Sequence, residues 1–292
     1  MSQQAEAAPK KVGVYPYVVV LILGLVYTFN YLDRQILAIL AEPIKAELNL
    51  TDRPMSRDEL AAALQRAEVL APTITDHLDA ELIAGAGEQL KMIANFGAGV
   101  DHIDIDAAVG RGIIVTNTPG VLTEDTADLT MSLILAVSRR VVEGAAVVAA
   151  GQFEGWTPTW MCGRKLWGKR LGIVGMGRIG QALARRARAF GMQVHYHNRK
   201  PVPDMIAEEL GATWWDDLDQ MLARMDVISL NCPATKETHH LLSAERLARL
   251  QPHAIVVNTA RGELIDEAAL VEALDRRALF GVGLDVFENE PK

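Results

Sequence analysis

The stretch KRLGIVGMGRIGQALARRARAFGMQVHYHNRK, residues 169–200, decides the fold. Its early segment RLGIV is a short apolar run that is typical of a buried strand. Gly175, Gly177 and Gly180 follow in the pattern G-x-G-x-x-G. A helical pattern then covers residues 181–190, and MQVHYH predicts a second strand. A strand, a glycine-rich turn and a helix within about thirty residues indicate a doubly wound parallel sheet that binds a dinucleotide.

Each glycine has its own task in such a turn. The first permits a tight bend, the second lets the backbone approach a pyrophosphate, and the third lets the helix pack closely on the strand. The N-terminus of the helix stabilises the negative charge of the phosphates. Arg178 and Ile179, which stand in the turn before the predicted helix, are also expected to bind the cofactor. The alternative is a glycine-rich turn without a ligand, and the flanking strand and helix argue against it.

The end of the second predicted strand distinguishes two forms of the nicotinamide cofactor. NAD enzymes place an Asp or Glu there, which binds the ribose hydroxyls. This chain has Asn198, Arg199 and Lys200 instead, so no acid repels a 2′-phosphate and two cations can meet it. One hydrogen bond to a charged group contributes roughly 1.5–3 kcal/mol, which favours NADP(H) by about tenfold to a hundredfold. We therefore expect NADP(H) to be preferred over NAD(H), with a solvated turn as the alternative.

The composition limits the class of protein. The chain has 292 residues and is 50% hydrophobic, which is enough for one large or two ordinary domains. Its formal net charge of −8 argues against a nucleic-acid partner. The two cysteines, Cys162 and Cys232, lie far apart in no metal-like spacing, which fits a reducing compartment. We expect neither a disulfide framework nor a metal site.

The N-terminal segment differs from the rest of the chain. Residues 12–32 contain no charged side chain and are about as long as the roughly 20 residues that span a membrane. Residues 1–51 are therefore predicted to be a membrane-type helix and its loop, with a core helix and a signal peptide as alternatives. The run from Asn30 to Arg34 resembles the end of the first helix of major-facilitator transporters. A single helix cannot build a transport pathway, so a transporter function is excluded.

Four further motifs carry a second resemblance. They are ANFGAGVDHIDIDAA (94–108), VTNTPGVLTEDTADLTMSLIL (115–135), VNTARGELIDEAALVEAL (257–274) and GLDVFENEP (283–291). In this order they resemble D-isomer-specific 2-hydroxyacid dehydrogenases, nearest to the glyoxylate/hydroxypyruvate reductase branch. The resemblance implies an α/β fold with a Rossmann-type doubly wound cofactor domain and an incomplete, smaller α/β substrate domain. The expected boundaries are 52–120 for the partial substrate domain, 121–286 for the Rossmann domain and 287–292 for a truncated return.

The resemblance also implies roles for individual residues. Ala98 and Gly99 would bind a substrate carboxylate through their backbone amides. Arg261 would grip the same carboxylate and polarise the neighbouring carbonyl group. Trp160 resembles a position that reaches the neighbouring subunit, which implies a homodimer. The further cofactor positions implied are Thr126, Pro233, Thr238, Thr259 and Asp285.

The implied reaction is hydride transfer between NADP(H) and a small 2-oxo or 2-hydroxy acid in the cytoplasm. In the family, a histidine whose pKa is raised by a glutamate supplies the proton. Glu290 matches that glutamate, but none of the seven histidines of this chain occupies the place of the histidine. We therefore expect an impaired reductase. Two alternatives remain open, a non-catalytic NAD(P)-binding module and a membrane-tethered fusion fragment.

Overall fold

The computed structural model describes residues 55–290. The apolar helix predicted at 12–32, its loop to residue 51 and the membrane contact expected from it lie outside these residues. Within residues 55–290, every helix is too short or too polar to cross a bilayer.

A small parallel sheet comes first along the described chain. Its three strands are ordered β1-β2-β3, and a helix precedes each of them. The side chains of Ser56, Asp79 and Asp104 cap these helices by accepting a backbone N–H from the first turn, which satisfies donors that the helix leaves free. The elements are α1 (Arg57–Leu64), β1 (Val69–Leu70), α2 (Ala80–Ala84), β2 (Met92–Ala94), α3 (Ile105–Gly110) and β3 (Ile114–Thr116).

Two helices lead from the small sheet to a larger one. They are α4 (Thr123–Ser138) and α5 (Val141–Ala149). The larger sheet has six parallel strands in the order β6-β5-β4-β7-β8-β9, the order of a dinucleotide-binding fold. Its elements are β4 (Arg170–Val174), α6 (Arg178–Ala189), β5 (Gln193–His197), α7 (Asp204–Leu210), β6 (Ala212–Trp214), α8 (Leu218–Leu222), β7 (Val227–Leu230), α9 (Ala244–Arg249), β8 (Ile255–Asn258), a 3₁₀ turn (Gly262–Leu264), α10 (Glu267–Asp275) and β9 (Gly281–Leu284).

Both faces of the six-stranded sheet are covered by apolar side chains. Ile173 and Val257 belong to one buried cluster, with residues of α4 and α6. Val174 and Val256 belong to the other, with residues of α8 and α10. Successive residues of a strand point to opposite faces, so apolar runs such as IVVN require cover on both sides. The α/β prediction with a doubly wound parallel sheet is confirmed.

The glycine-rich unit agrees with its prediction except at the start of the helix. RLGIV forms β4, and β5 covers all but the first residue of the predicted MQVHYH strand. Helix α6 begins at Arg178, three residues before the predicted start at residue 181, with Gly177 as its N-cap. The apolar periodicity marks the buried face of a helix, and it says less about the residue at which the first turn begins. The expected domain boundaries stay a prediction.

Candidate functional site

The three glycines of the turn have three different surroundings. Gly175 has φ +102°, and a side chain there would place its Cβ 2.7 Å from the backbone of Asn231, which directly follows the neighbouring strand β7. A Cβ on Gly177 would meet no atom of the described chain within 4 Å. A Cβ on Gly180 would collide with the carbonyl oxygen of Gly175. The turn therefore needs glycine at two positions for packing, and at Gly177 it leaves open space beside the start of α6.

That open space belongs to a groove at the carboxyl ends of β4, β5 and β7. The groove has a volume of about 790 Å³. It lies where the strand order reverses, which is where doubly wound sheets bind ligands. Of the expected cofactor residues, those lining the groove are Gly175, Gly177, Asn198, Arg199, Lys200, Pro233 and Thr238. Those outside its lining are Thr126, Arg178, Ile179, Gly180, Thr259 and Asp285.

Asn198 joins the glycine turn to β5. Its side-chain oxygen accepts a hydrogen bond of 2.7 Å from the backbone N–H of Met176. Arg199 and Lys200 follow at the rim of the groove and are exposed. Across the rim, the hydrogen bond from Thr235 lowers the pKa of Glu237, and the charge of Arg199 lowers it further.

The opposite wall of the groove is a short loop after β7. The Thr238 hydroxyl donates to the carbonyl oxygen of Pro233 at 2.8 Å and accepts from the N–H of Thr235 at 2.7 Å, which closes the loop on itself. Burial raises the pKa of the Cys232 thiol to about 11, so this groove residue is a neutral thiol near pH 7. It packs in the wall and is not a nucleophile.

The segment from residue 97 to 99 follows β2 and forms a polar concavity. Its carbonyl oxygens are all taken, because Asn95 donates to Gly97 and Gly99 at 3.1 and 2.7 Å and Asn117 donates to Ala98 at 2.7 Å. The N–H groups of Ala98 and Gly99 donate to no acceptor within residues 55–290. We call these two amides the amide nest, and free amides of this kind bind anions.

Arg261 lies against Gly99, one of the two residues of this nest. A Cβ on Gly99 would collide with its guanidinium nitrogen Nη2. Asp101 holds the guanidinium by two hydrogen bonds, from Nε to Oδ2 at 2.7 Å and from Nη2 to Oδ1 at 3.1 Å. Nη1 donates to the carbonyl oxygen of Ala260 at 2.7 Å. The buried Asn258 shapes the turn by donating to the carbonyl oxygen of Arg261 and accepting from the N–H of Ala260.

The charges around Arg261 keep it protonated. The hydrogen bond to Asp101 raises the pKa of Arg261 most, and the charges of Asp101, Glu263 and Glu290 raise it further. For Asp101, burial raises the pKa, but the hydrogen bond and charge of Arg261 outweigh it and lower the pKa below its ordinary value. The two groups therefore form an ion pair, with the Glu290 charge close enough to contribute.

The remaining expected site residues lie at the ends of neighbouring strands. The N–H of Asp285 donates to the carbonyl oxygen of Asn258 at 3.0 Å, which places Asp285 beside the turn that carries Arg261. The Thr259 hydroxyl shares a hydrogen bond of 2.8 Å with the buried Thr130 of α4, the helix that also carries Thr126. The Glu290 carboxylate accepts from the N–H of Phe287.

The histidines do not converge on Glu290. Within residues 55–290, no histidine hydrogen-bonds to its carboxylate, and His240 pairs instead with Glu288 at 2.6 Å. His239, His240 and Glu288 hold possible metal-ligand atoms within 4.8 Å of one another. The expectation of no metal site stays a prediction.

Sequence reasoning missed the residues that support the nest and the arginine. Three of them stand in the motif that carries Ala98 and Gly99, and an Asn directly after a strand is a common turn residue, so that signal was available. The contacts were not visible, because Asp101 and Arg261 are 160 residues apart in the chain. The missed residues are Asn95, Asp101, His102, Asn117, Thr130 and Asn258.

Comparisons with known proteins agree with this geometry. Residues 131–292 match the sequence model of the NAD binding domain of D-isomer specific 2-hydroxyacid dehydrogenases. The chain is 47% identical over 239 residues to a glyoxylate reductase of Thermococcus litoralis, covering 80% of this chain and 71% of that enzyme.

Solved structures show the same likeness. The TT0316 protein of Thermus thermophilus superposes with a TM-score of 0.74 at 52% identity, covering 82% of this chain and 74% of that one. A glyoxylate reductase of Paecilomyes thermophila superposes with a TM-score of 0.75 at 37% identity, covering 82% and 74%. The fold, the nucleotide groove and these relatives together show that the chain belongs to the D-isomer specific 2-hydroxyacid dehydrogenases, a family of nicotinamide-dependent oxidoreductases.

Proposed function

We propose that this chain is a glyoxylate/hydroxypyruvate reductase-like enzyme that transfers a hydride between NADP(H) and a small 2-oxo or 2-hydroxy acid. The observation that carries the proposal is the contact of the Arg261 guanidinium with Gly99, beside the free amides of Ala98 and Gly99. A cation and two free amides side by side form a site for a carboxylate.

The residues of the site have separate tasks in this proposal. The amide nest binds the substrate carboxylate, and Arg261 binds that group and polarises the adjacent carbonyl oxygen. When bound in the groove, the nicotinamide supplies or accepts the hydride. Asp285, beside the Arg261 turn, binds the carboxamide of that ring, and Glu290 belongs to the proton-transfer machinery.

The substrate proposal is tested by following NADPH oxidation with glyoxylate, hydroxypyruvate and pyruvate at matched concentrations. We expect kcat/KM to be higher for glyoxylate, which is smaller than pyruvate, and for hydroxypyruvate, which is more polar, than for pyruvate. An uncharged aldehyde of the same size as glyoxylate is the control, because it lacks the carboxylate that Arg261 binds. Equal kcat/KM for the aldehyde and for glyoxylate would contradict the proposal.

The preference for NADP(H) rests on the rim of the groove. Asn198 offers no negative charge there, and Arg199 and Lys200 are exposed at the position of the ribose. We expect kcat/KM to favour NADPH over NADH by about tenfold to a hundredfold, from one hydrogen bond to the 2′-phosphate. Arg199→Ala should remove most of that preference and leave the value for NADH unchanged. Equal efficiencies with the two cofactors in the unaltered chain would refute the preference.

Impaired turnover is proposed from the surroundings of Glu290. No histidine among residues 55–290 reaches its carboxylate, so the described site has no general acid of the family type. A missing general acid costs roughly 10²–10⁴ in rate. Added imidazole should partly restore glyoxylate reduction, because it can donate the proton. NADPH binding without turnover, with or without imidazole, would favour the alternative of a non-catalytic binding module.

A homodimer is proposed because the apolar side chains of helix α5 are not buried within the described chain. Seven of the nine residues in VVEGAAVVA are Val or Ala, yet none is buried within the described chain. Val142 and Val148 are 73% and 65% exposed, and Trp160 is 41% exposed. A second copy of the chain could bury this apolar surface. Light scattering should show a dimer, and the double variant Val142→Glu/Val148→Glu should be monomeric; an unaltered chain that is itself monomeric would contradict the proposal.

A cytoplasmic location is proposed from the cofactor, with membrane contact through residues 12–32 as the alternative. A reductase needs the pool of reduced nicotinamide cofactor inside the cell. Fractionation of the expressed chain distinguishes the two, because a tethered protein would sediment with membranes and be released only by detergent.

A further inference from the structure

We propose that the buried pair Asn95–His102 positions the amide nest, and thereby sets the affinity for the substrate carboxylate. The inference rests on the proposed function, since it concerns the same carboxylate site. Neither residue touches the space over the nest, so both are positioning residues and not catalytic ones.

Asn95 acts directly on the segment that carries the nest. Its side-chain nitrogen Nδ2 donates to two carbonyl oxygens, of Gly97 at 3.1 Å and of Gly99 at 2.7 Å. Both carbonyls can only accept, so the amide group is oriented with its nitrogen toward the loop. In a trans peptide the C=O of one residue and the N–H of the next point in opposite directions, so the bond from Asn95 to the Gly97 carbonyl directs the Ala98 N–H away from Asn95. The bond from Asn117 to the Ala98 carbonyl orients the Gly99 N–H in the same way.

His102 fixes the orientation of Asn95. The remaining polar atom of the Asn95 side chain, Oδ1, lies 3.0 Å from Nε2 of His102. Because Oδ1 is an acceptor, Nε2 must carry the hydrogen. Burial lowers the pKa of His102, against the opposing charge of Asp101, so the ring is neutral near pH 7 with its hydrogen on Nε2. Asn95 and His102 are only 2% and 7% exposed, so water does not compete for these bonds.

The backbone holds the pair in place from both sides. Asn95 directly follows β2, and its N–H donates to the carbonyl oxygen of Thr116 on β3 at 2.9 Å. The carbonyl oxygen of His102 accepts from the N–H of Leu78 at 2.8 Å. The nest is therefore fixed before a ligand arrives, and a preorganised site binds an anion without the cost of ordering the loop.

Three variants test this inference, and two of them, His102→Leu and His102→Gln, form a matched pair. Asn95→Asp keeps the shape but cannot donate, so we expect KM for glyoxylate and the inhibition constant of oxalate to rise together by roughly tenfold to a hundredfold. His102→Leu removes the donor to Asn95 and should also raise both constants. His102→Gln restores a donor and should return both constants to within about threefold of the unaltered chain.

The controls separate positioning from a general loss of structure. NADPH affinity should stay within about twofold in all these variants, because the groove lies on the larger sheet. His253→Gln alters a histidine that pairs with Asp226, away from the nest, and should change neither constant for the anions. Unchanged KM and oxalate inhibition in Asn95→Asp and His102→Leu would overturn the inference, as would a His102→Gln variant no better than His102→Leu.

A measurement on the unaltered chain remains informative if the variants do not fold. The ¹⁵N resonances of labelled histidines report which ring nitrogen carries the hydrogen. We expect His102 to carry it on Nε2 and to shift when oxalate is added, while His253 does not respond. A different tautomer, or no response to saturating oxalate, would overturn the inference. An unaltered chain whose His102 responds to oxalate but which reduces no 2-oxo acid would instead refute the proposed function alone.

Discussion

The nucleotide groove and the substrate nest are built in different ways. One wall of the groove is a backbone feature of one continuous stretch, in which β4, the glycine turn, α6 and β5 follow one another within residues 170–197, and the other wall is the loop after β7. The nest depends on side chains from distant parts of the chain, because Arg261 comes from the end of β8 and its partner Asp101 from the loop after β2. A local motif therefore builds one wall of the first site, whereas the second site exists only when the two sheets are both folded.

This difference predicts how a single substitution affects each site. A single side chain added to the groove can block the cofactor while the fold persists. At the nest, a change in one residue alters the position of others, because Arg261, Asp101, Asn95 and His102 are linked through Gly99 and its neighbours. Coupled groups of this kind give non-additive effects on mutation.

The largest effect is expected at Arg261. Arg261→Lys keeps the charge but loses the planar fork that binds a carboxylate in two hydrogen bonds. Loss of two charge-assisted bonds of roughly 1.5–3 kcal/mol each should lower kcat/KM for glyoxylate by about 10²–10⁴. The dissociation constant of NADPH, measured by fluorescence titration, should not change. A decrease in kcat/KM of less than about threefold would contradict the account in which the nest, unlike the groove, depends on the Arg261 side chain.

At the groove, Gly177→Ala and Gly180→Ala form a matched pair. The added Cβ of Gly177→Ala meets no atom of residues 55–290 within 4 Å, so the free energy of unfolding should be unchanged. The methyl group enters the space for the pyrophosphate, and NADPH should bind roughly tenfold to a hundredfold more weakly, from one lost charge-assisted hydrogen bond. Gly180→Ala should instead lower the melting temperature, because its Cβ collides with the backbone of Gly175. Equal effects of the two variants on stability would contradict this account of the turn.

Asp101→Asn should have a smaller effect on turnover than Arg261→Lys. The variant keeps one acceptor for the guanidinium but loses the ion pair, so kcat/KM for glyoxylate should fall by about tenfold. The lowered pKa of Asp101 means that its pairing is present above the ordinary Asp value near 3.9 and is lost as the pH falls through the lower folded-state value. Stability measured from pH 6 to 2 should therefore fall less steeply in the variant. Identical pH profiles would show that the pair is not formed.

The smallest effect on function is expected at Asp226, at the opposite end of the large sheet. Its carboxylate accepts from Lys169 and His253 at 3.0 Å and from the N–H of Arg170 at 2.9 Å. Burial raises the pKa of Asp226, but these hydrogen bonds outweigh it and lower the pKa, so their stabilisation is present above about pH 4 and lost below it. Asp226→Asn should cost about 1–2 kcal/mol at pH 7, less at pH 3, with NADPH affinity unchanged. An effect on NADPH binding would show that the two ends of the sheet are coupled.

The sequence by itself determined the α/β class, the glycine turn and the family, because these depend on local patterns. Apolar runs, a period close to that of a helix and three glycines at fixed spacing each act over a few residues. The start of α6 was misplaced by three residues, since periodicity follows the buried face and does not mark where the first turn begins.

Only the tertiary structure decided how the substrate site is assembled. The pairing of Asp101 with Arg261 across 160 residues, the two bonds from Asn95 and the support of His102 are contacts between elements that the sequence separates. Hydrogen bonds depend on distances of about 3 Å and on direction, and no residue pattern states where two distant loops will meet. The sequence supplies the chemical groups, and the packing of two sheets determines which of them face one another.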